Sequence, residues 1–187
     1  MYGEILESTM KSLLGSLSLA CILLIHRPMA HAKQAAQTSV TRWLRGEAAY
    51  NPQNPFARIV RGELPAYKVY EDSQVLAFLS LDQSVPGHVL VISKTSKAQN
   101  IMEMSPKDLT RVMLVVQRIA RAEVKSLHAD GVVIRQNNRE AADQAVFHLH
   151  AHVVPHWDDA PPEFARAADG KLDRTAMAAR IAAAIRN

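Results

Sequence analysis

The stretch AVFHLHAHVVPHW, from Ala145 to Trp157, holds four of the chain's eight histidines. Three of them, His148, His150 and His152, alternate strictly with Leu149, Ala151 and Val153. On a strand, successive side chains point to opposite faces, so the three imidazoles share one face at a spacing of roughly 6.5–7 Å. Alternation this regular in one residue type argues against a chance row of exposed histidines. Two chemistries suit it. Imidazoles at i and i+2 can share a metal ion, but such a site usually draws a further ligand and an outer carboxylate. A neutral imidazole is also a good nucleophile toward phosphorus, and flanking imidazoles and amides can hydrogen-bond phosphate oxygens. The nearby polar residues are Asn137, Asn138 and Gln144, which are amides rather than carboxylates. That favours phosphoryl chemistry.

A row like this needs a sheet to hold it. YKVYED and SQVLAFLS read as two strands joined at Asp72-Ser73, and HVLVIS, after the Pro86-Gly87 turn, as a third. Ser105-Pro106-Lys107-Asp108 starts a helix: Ser105 caps it, Pro106 suits its first position, and Asp108 completes a capping box. Leu109, Val112, Met113, Val116, Ile119 and Ala120 then recur at helical spacing, marking a buried face. Asp130-Gly131 is expected to stop this helix. VVIRQN follows as a fourth strand and AVFHLHAHVV as a fifth, ended by Pro155. Residues 172–185, rich in Ala and Arg, read as a C-terminal helix. Strands outnumber helices and are not regularly interleaved with them. The expected fold is therefore α+β, a mainly antiparallel five-stranded sheet with one long helix and a C-terminal helix.

The chain has 187 residues and a formal charge of +4 without a Lys/Arg block. Only 5% of its residues are aromatic, and no aromatic–basic stripe appears, so a nucleic-acid partner is not expected. Cys21 is the single cysteine, which excludes an intrachain disulfide and a cysteine-based zinc site. Residues 10–32 combine Lys11, an apolar run of fourteen residues from Ser12 to Ile25, and Ala30-His31-Ala32. This is the pattern of a secretory signal peptide, too short to span a bilayer comfortably. The expected organisation is a signal peptide over 1–32, a linker over 33–53 with a short helix near 41–48, and one domain over 54–187. Periplasmic or secreted residence follows, with no stable membrane anchor after cleavage. Cytoplasmic residence and an uncleaved N-terminal anchor are the alternatives.

HLHAHVV, together with FARIVRGELPAYKVYED, PGHVLVIS and QNNREAADQAVFHLHAHVVPHW, resembles the histidine triad family of nucleotide hydrolases and transferases across roughly residues 54–157. It resembles the bacterial branch close to the phosphoramidase and dinucleoside polyphosphate hydrolase members. The resemblance implies a homodimer with joined sheets, a purine nucleotide substrate and no required cofactor. His150 matches the nucleophile, His152 a phosphate-binding residue, His148 the residue that orients the nucleophile, and His88 a fourth, supporting histidine. Asn137 and Gln144 match ribose or phosphate contacts. Phe56, Ile59 and Leu79 match the walls around the base.

The sequence also departs from that pattern. Asn54-Pro55-Phe56-Ala57 stands where many members carry Cys-x-x-Cys, and Ser96 where they carry a histidine, so no structural zinc is expected. Ser80 replaces the acid that holds the ribose, with Asp82 two residues on; Asp143 and Ala145 flank Gln144 in place of a small residue and a hydroxyl residue. These changes keep a non-catalytic nucleotide-binding or sensing module open as the alternative to hydrolysis through a nucleotidyl-histidine.

Overall fold

The structure is a computed structural model that describes residues 49–165 and 172–186. The expected signal peptide, the short helix near 41–48 and nearly all of the linker lie outside the described residues.

Helix α1 spans Pro55–Val60 and forms because the Asn54 side chain accepts the Ala57 N–H at 2.9 Å with Pro55 in the first turn. The sequence analysis placed no helix here, where Asn54 and Pro55 supply the start. Strands β1 (Lys68–Glu71), β2 (Val75–Leu79) and β3 (Val89–Ser93) follow as a meander. The long helix α2 spans Pro106–Leu127, with Ser105 accepting the Asp108 N–H at 3.1 Å. Next come β4 (Gly131–Arg135), a 3-10 turn (Glu140–Ala142), β5 (His150–His156), α3 (Pro162–Ala165) and α4 (Arg174–Arg186). The sheet order is β1-β2-β3-β5-β4, with every neighbouring pair antiparallel. The expected α+β fold is the observed one.

Two boundaries differ from expectation. Helix α2 stops at Leu127, where His128 turns left-handed at φ 53°, three residues before Gly131 opens β4. Strand β5 begins at His150 rather than Ala145 and runs through Pro155 to His156. Proline is tolerated there because β3 pairs β5 only as far as Val153. Beyond it β5 pairs with β4 alone, and the missing N–H costs no central ladder bond.

The pleat divides the sheet into two faces. Val75, Ala77, Leu79, Val89, Val91, Ala151 and Val153 pack with α2 and α4 through Val112, Val116, Ile119, Met177 and Ile181. Each buried aliphatic side chain there stabilises the fold by about 1.5–3 kcal/mol. The opposite face presents Leu76, Phe78, Leu90 and Ile92 under Phe56 of α1, with Ile59 and Val60 packed alongside. Register places His150 beside Ile92 and His152 beside Leu90, so both histidines belong to this second face.

Candidate active site

His148 ends the loop that leads into β5, and Gln144 clamps that loop. The Gln144 amide donates to the Gln99 carbonyl at 2.6 Å and to the Val146 carbonyl at 3.0 Å, and its oxygen accepts the Arg139 N–H at 2.6 Å. Gln144 is buried and spends its polar atoms on backbone. Its observed work is to place the loop, whereas the resemblance implied a ligand contact.

The ring of His148 is 3% exposed and lies between two partners. Its Nε2 is 2.9 Å from the Ser93 carbonyl oxygen, which can only accept, so Nε2 carries the proton. Nδ1 then accepts from the Tyr50 hydroxyl at 2.7 Å. His150 is 5% exposed, and its Nδ1 is 2.8 Å from the His148 carbonyl oxygen. The same logic puts the His150 proton on Nδ1 and leaves Nε2 with its lone pair. Phe56 stands edge-on to both rings, with centroids 5.0 Å from His150 and 6.2 Å from His148.

His152 is held differently. Its Nδ1 lies 2.9 Å from Nε2 of His88, and its ring centroid is 5.0 Å from that of His150. Gly87 makes room for His88 to turn in. Its φ is +85°, and a Cβ there would meet the Leu127 side chain at 2.5 Å.

Burial favours the neutral form of all four rings. It lowers the pKa of His148 and His150, opposed by the carbonyls of Ser93 and His148 respectively. It lowers that of His88, where the backbone carbonyl and charge of Asp82 oppose it. His152 is pushed down to about 4, first by burial and then by the nearby His150, His88 and Arg135. The site at neutral pH is thus a row of uncharged imidazoles, one of which has a bare nitrogen fixed by the backbone.

The remaining sequence-predicted residues divide. Phe56 and Ile59 lie on the histidine face as expected. Leu79 does not: it is buried on the opposite face beneath the helices, because it is one residue out of phase with the histidine-facing positions. Phe78 takes that place on the histidine face, its ring meeting Phe56 edge-on at 5.7 Å. Counting by twos from Ser80, or following the pairing to His88, selects Phe78. Ser80 is buried, bonded through its N–H to the His88 carbonyl at 2.9 Å, and its hydroxyl accepts the Asp82 N–H at 3.2 Å. The carboxylate of Asp82 is exposed and held below its usual range by hydrogen bonds from Ser84, so it stays ionised near His88. Asn137 donates to the Ala142 carbonyl at 2.6 Å, while its oxygen is buried without a partner among the described residues.

Asp143 and Ala145 are exposed. His156 continues the histidine face because β5 passes Pro155, and it is exposed. Trp157 packs on the helix side, donating to the Leu127 carbonyl at 3.0 Å, with its ring tilted 45° to that of Phe164 at a centroid distance of 5.0 Å. Tyr50 was not foreseen at all, since nothing in its local sequence points toward a residue 98 positions away.

Comparison with known proteins places this constellation. Residues 61–159 match the HIT domain family. The chain is 40% identical over 102 residues to Protein hit of Bacillus subtilis, an alignment covering 54% of this chain and 70% of that protein. It is 35% identical over 100 residues to adenylylsulfatase HINT3 of Arabidopsis thaliana, covering 54% of this chain and 50% of that one. Among solved structures, a Hit-like protein from Bartonella henselae superposes with a TM-score of 0.64 at 36% identity, covering 73% of this chain and 99% of that one.

Proposed function

The chain belongs to the HIT domain family, the histidine triad nucleotide-binding hydrolases and transferases, and within it we propose that this member hydrolyses a nucleoside phosphoramidate or a dinucleoside polyphosphate through His150. The observation that carries this reading is the bare Nε2 of His150, fixed by the bond from its Nδ1–H to the His148 carbonyl. In the first step Nε2 attacks the α-phosphorus. A P–N bond to His150 forms, and the bond from phosphorus to the leaving group breaks. The leaving group departs with a proton supplied within the imidazole cluster. Water then attacks the same phosphorus, the P–N bond breaks, and nucleoside monophosphate leaves with His150 restored. His152, beside His150, is assigned to the phosphate oxygens, where developing charge needs donors. Phe56, Ile59 and Phe78 are assigned to the base, which apolar walls would accept as any purine.

Hydrolysis is preferred to binding alone because an ionised phosphate has no proton to give a bare nitrogen, whereas that nitrogen can attack its phosphorus. The adenylylsulfatase relative adds sulfate to amine and nucleotide as a leaving group to be tried. The test is a trap. The full chain is mixed with an adenosine phosphoramidate, a diadenosine polyphosphate and adenylyl sulfate in turn, quenched in base and examined by mass spectrometry. A nucleotidyl adduct on His150, absent in His150→Ala, is expected. Tight nucleotide binding with neither adduct nor turnover would instead indicate the sensing module.

The same reading includes a homodimer and no required cofactor. Support for the dimer comes from β4, an edge strand with Val133 and Ile134 exposed, next to the exposed Met113 and Leu114 of α2. Light scattering at the mass of two chains is the expected outcome. Export is proposed from residues 10–32 alone, and N-terminal sequencing of the secreted protein should begin at Lys33. Among the described residues, no helix is long and apolar enough to cross a membrane.

A further inference from the structure

The histidine triad resemblance brings with it a structural zinc held by a Cys-x-x-Cys pair and a histidine, and the residues at those positions here do not fit a metal. Asn54 spends its side-chain oxygen on the Ala57 N–H at 2.9 Å and its amide on the Asn51 carbonyl at 2.7 Å. Ala57 offers no donor atom. The Ser96 hydroxyl accepts the Ala98 N–H at 3.1 Å. No thiolate or imidazole stands at any of the three.

What lies there instead is a set of hydrogen bonds, joined through the backbone at Ser93, Tyr50 and His148, that reaches the proposed nucleophile. The Ser96 N–H donates to the Ser93 hydroxyl at 3.0 Å. The Ser93 carbonyl accepts Nε2–H of His148, whose Nδ1 accepts the Tyr50 hydroxyl. Tyr50 directly precedes the Asn51 turn that Asn54 holds, and that turn leads into α1, which carries Phe56 against His148 and His150. The His148 carbonyl then fixes the tautomer of His150. Every donor meets an acceptor along this path.

We propose that Tyr50 is a positioning residue, and that the Tyr50–His148–Ser93 hydrogen bonds do here the ordering that a structural metal would otherwise do. Tyr50 lies outside residues 61–159, so the family match does not contain it. The phenol holds His148 in a single tautomer and ring orientation. That ring anchors the peptide whose carbonyl presents His150 with Nε2 bare. The proposal rests on the reading of His150 as nucleophile for its kinetic arm only.

The variant is Tyr50→Phe in the full chain, which keeps the ring contact 5.7 Å from His148 and removes one hydroxyl. Histidine-ring nitrogen NMR should show His148 Nδ1 shifting toward the value of an unbonded nitrogen and His150 losing its single Nδ1–H form, with His88 and His152 unchanged. With a turned-over substrate, kcat should fall about tenfold, the equivalent of one neutral hydrogen bond, with KM within about twofold. Elemental analysis should find no stoichiometric zinc, and added zinc should not restore the variant. Unchanged His148 and His150 resonances in Tyr50→Phe, or a zinc ion retained one per chain, would overturn the proposal. If the wild type turns nothing over, the proposed function fails while the NMR arm still decides the role of Tyr50.

Discussion

The two faces of the sheet are built from the same strands and bury titratable groups in opposite ways. On one face His148, His150 and His88 are buried and His152 half-buried, each with a ring nitrogen tied to a carbonyl, a hydroxyl or another ring. On the other, Glu123 of α2 is 0% exposed in an aliphatic core, with neither carboxyl oxygen hydrogen-bonded among the described residues. Burial without a partner raises its pKa to about 9. Desolvation suppresses charge on both faces, which makes imidazoles neutral by losing a proton and a carboxyl neutral by keeping one. In the proposed function the histidine face uses that neutrality: a neutral imidazole with a bare nitrogen is a nucleophile. The helix face only bears a cost.

The largest effect that would break this comparison is on the histidine face. His150→Ala should cost roughly 10⁴-fold or more in turnover while leaving the melting temperature near wild type, measured with the best substrate from the adduct trap. Loss of His88 should matter less. His88→Ala removes the ring bonded to His152 and should lower kcat roughly 10- to 100-fold, with the His150 adduct still forming slowly. Equal losses in the two variants would mean that His150 and His152 are not held for different tasks.

Next comes Gly87→Ala, which reaches both faces. The new methyl meets Leu127 below and forces a left-handed backbone beside His88, so unfolding free energy should drop by about 2–4 kcal/mol in urea titration. Glu123→Leu should move the other way, gaining about 1–3 kcal/mol at pH 7 by removing an unpartnered polar group.

The subtlest prediction is in pH. The histidines have folded pKa values below their ordinary value near 6.5, down to about 4 for His152, so the unfolded chain binds protons first on acidification. Their contribution to stability is fully present above 6.5 and is lost as pH falls through those values. Activity should stay level down through 6.5 and decline only at lower pH, where the folded chain's His150, its pKa lowered by burial, takes up a proton. For Glu123 the sign reverses. Between about 4.5 and 9 the folded chain holds a proton that the unfolded chain has released, so its share of stability falls as pH rises. Glu123→Gln should remove the fall of stability with rising pH across about 4.5 to 9, flattening the alkaline limb and leaving the histidines' own loss below 6.5 unopposed. An unchanged alkaline limb would show that Glu123 finds a partner in solution.

Much of this contrast was readable from the chain. Alternation of histidine with Leu149, Ala151 and Val153 gave the two faces, and Ser105-Pro106 gave the start of α2 to the residue. The five strands and their place relative to the two longer helices followed from local patterns, while the short helices α1 and α3 and the 3-10 turn did not. Other features depended on register or on distant contacts. Leu79 was placed in the wall although its phase points it into the helix core, an error that the β2–β3 pairing exposes. Gln144 looked like a ligand contact because an amide near the triad can serve either a phosphate or a loop, and composition does not distinguish them. Tyr50 and Glu123 were silent in sequence: one acts across 98 residues, and the other is a charged residue type in a helix whose burial depends on what packs over it.

The most direct test of the account is the stereochemical course at the α-phosphorus. A substrate made chiral there with sulfur and one oxygen isotope, hydrolysed in water carrying a third label, should give nucleotide with retained configuration, since attack by His150 and then by water inverts twice. Inverted product would mean that water displaces the leaving group directly and that His150 is not the nucleophile.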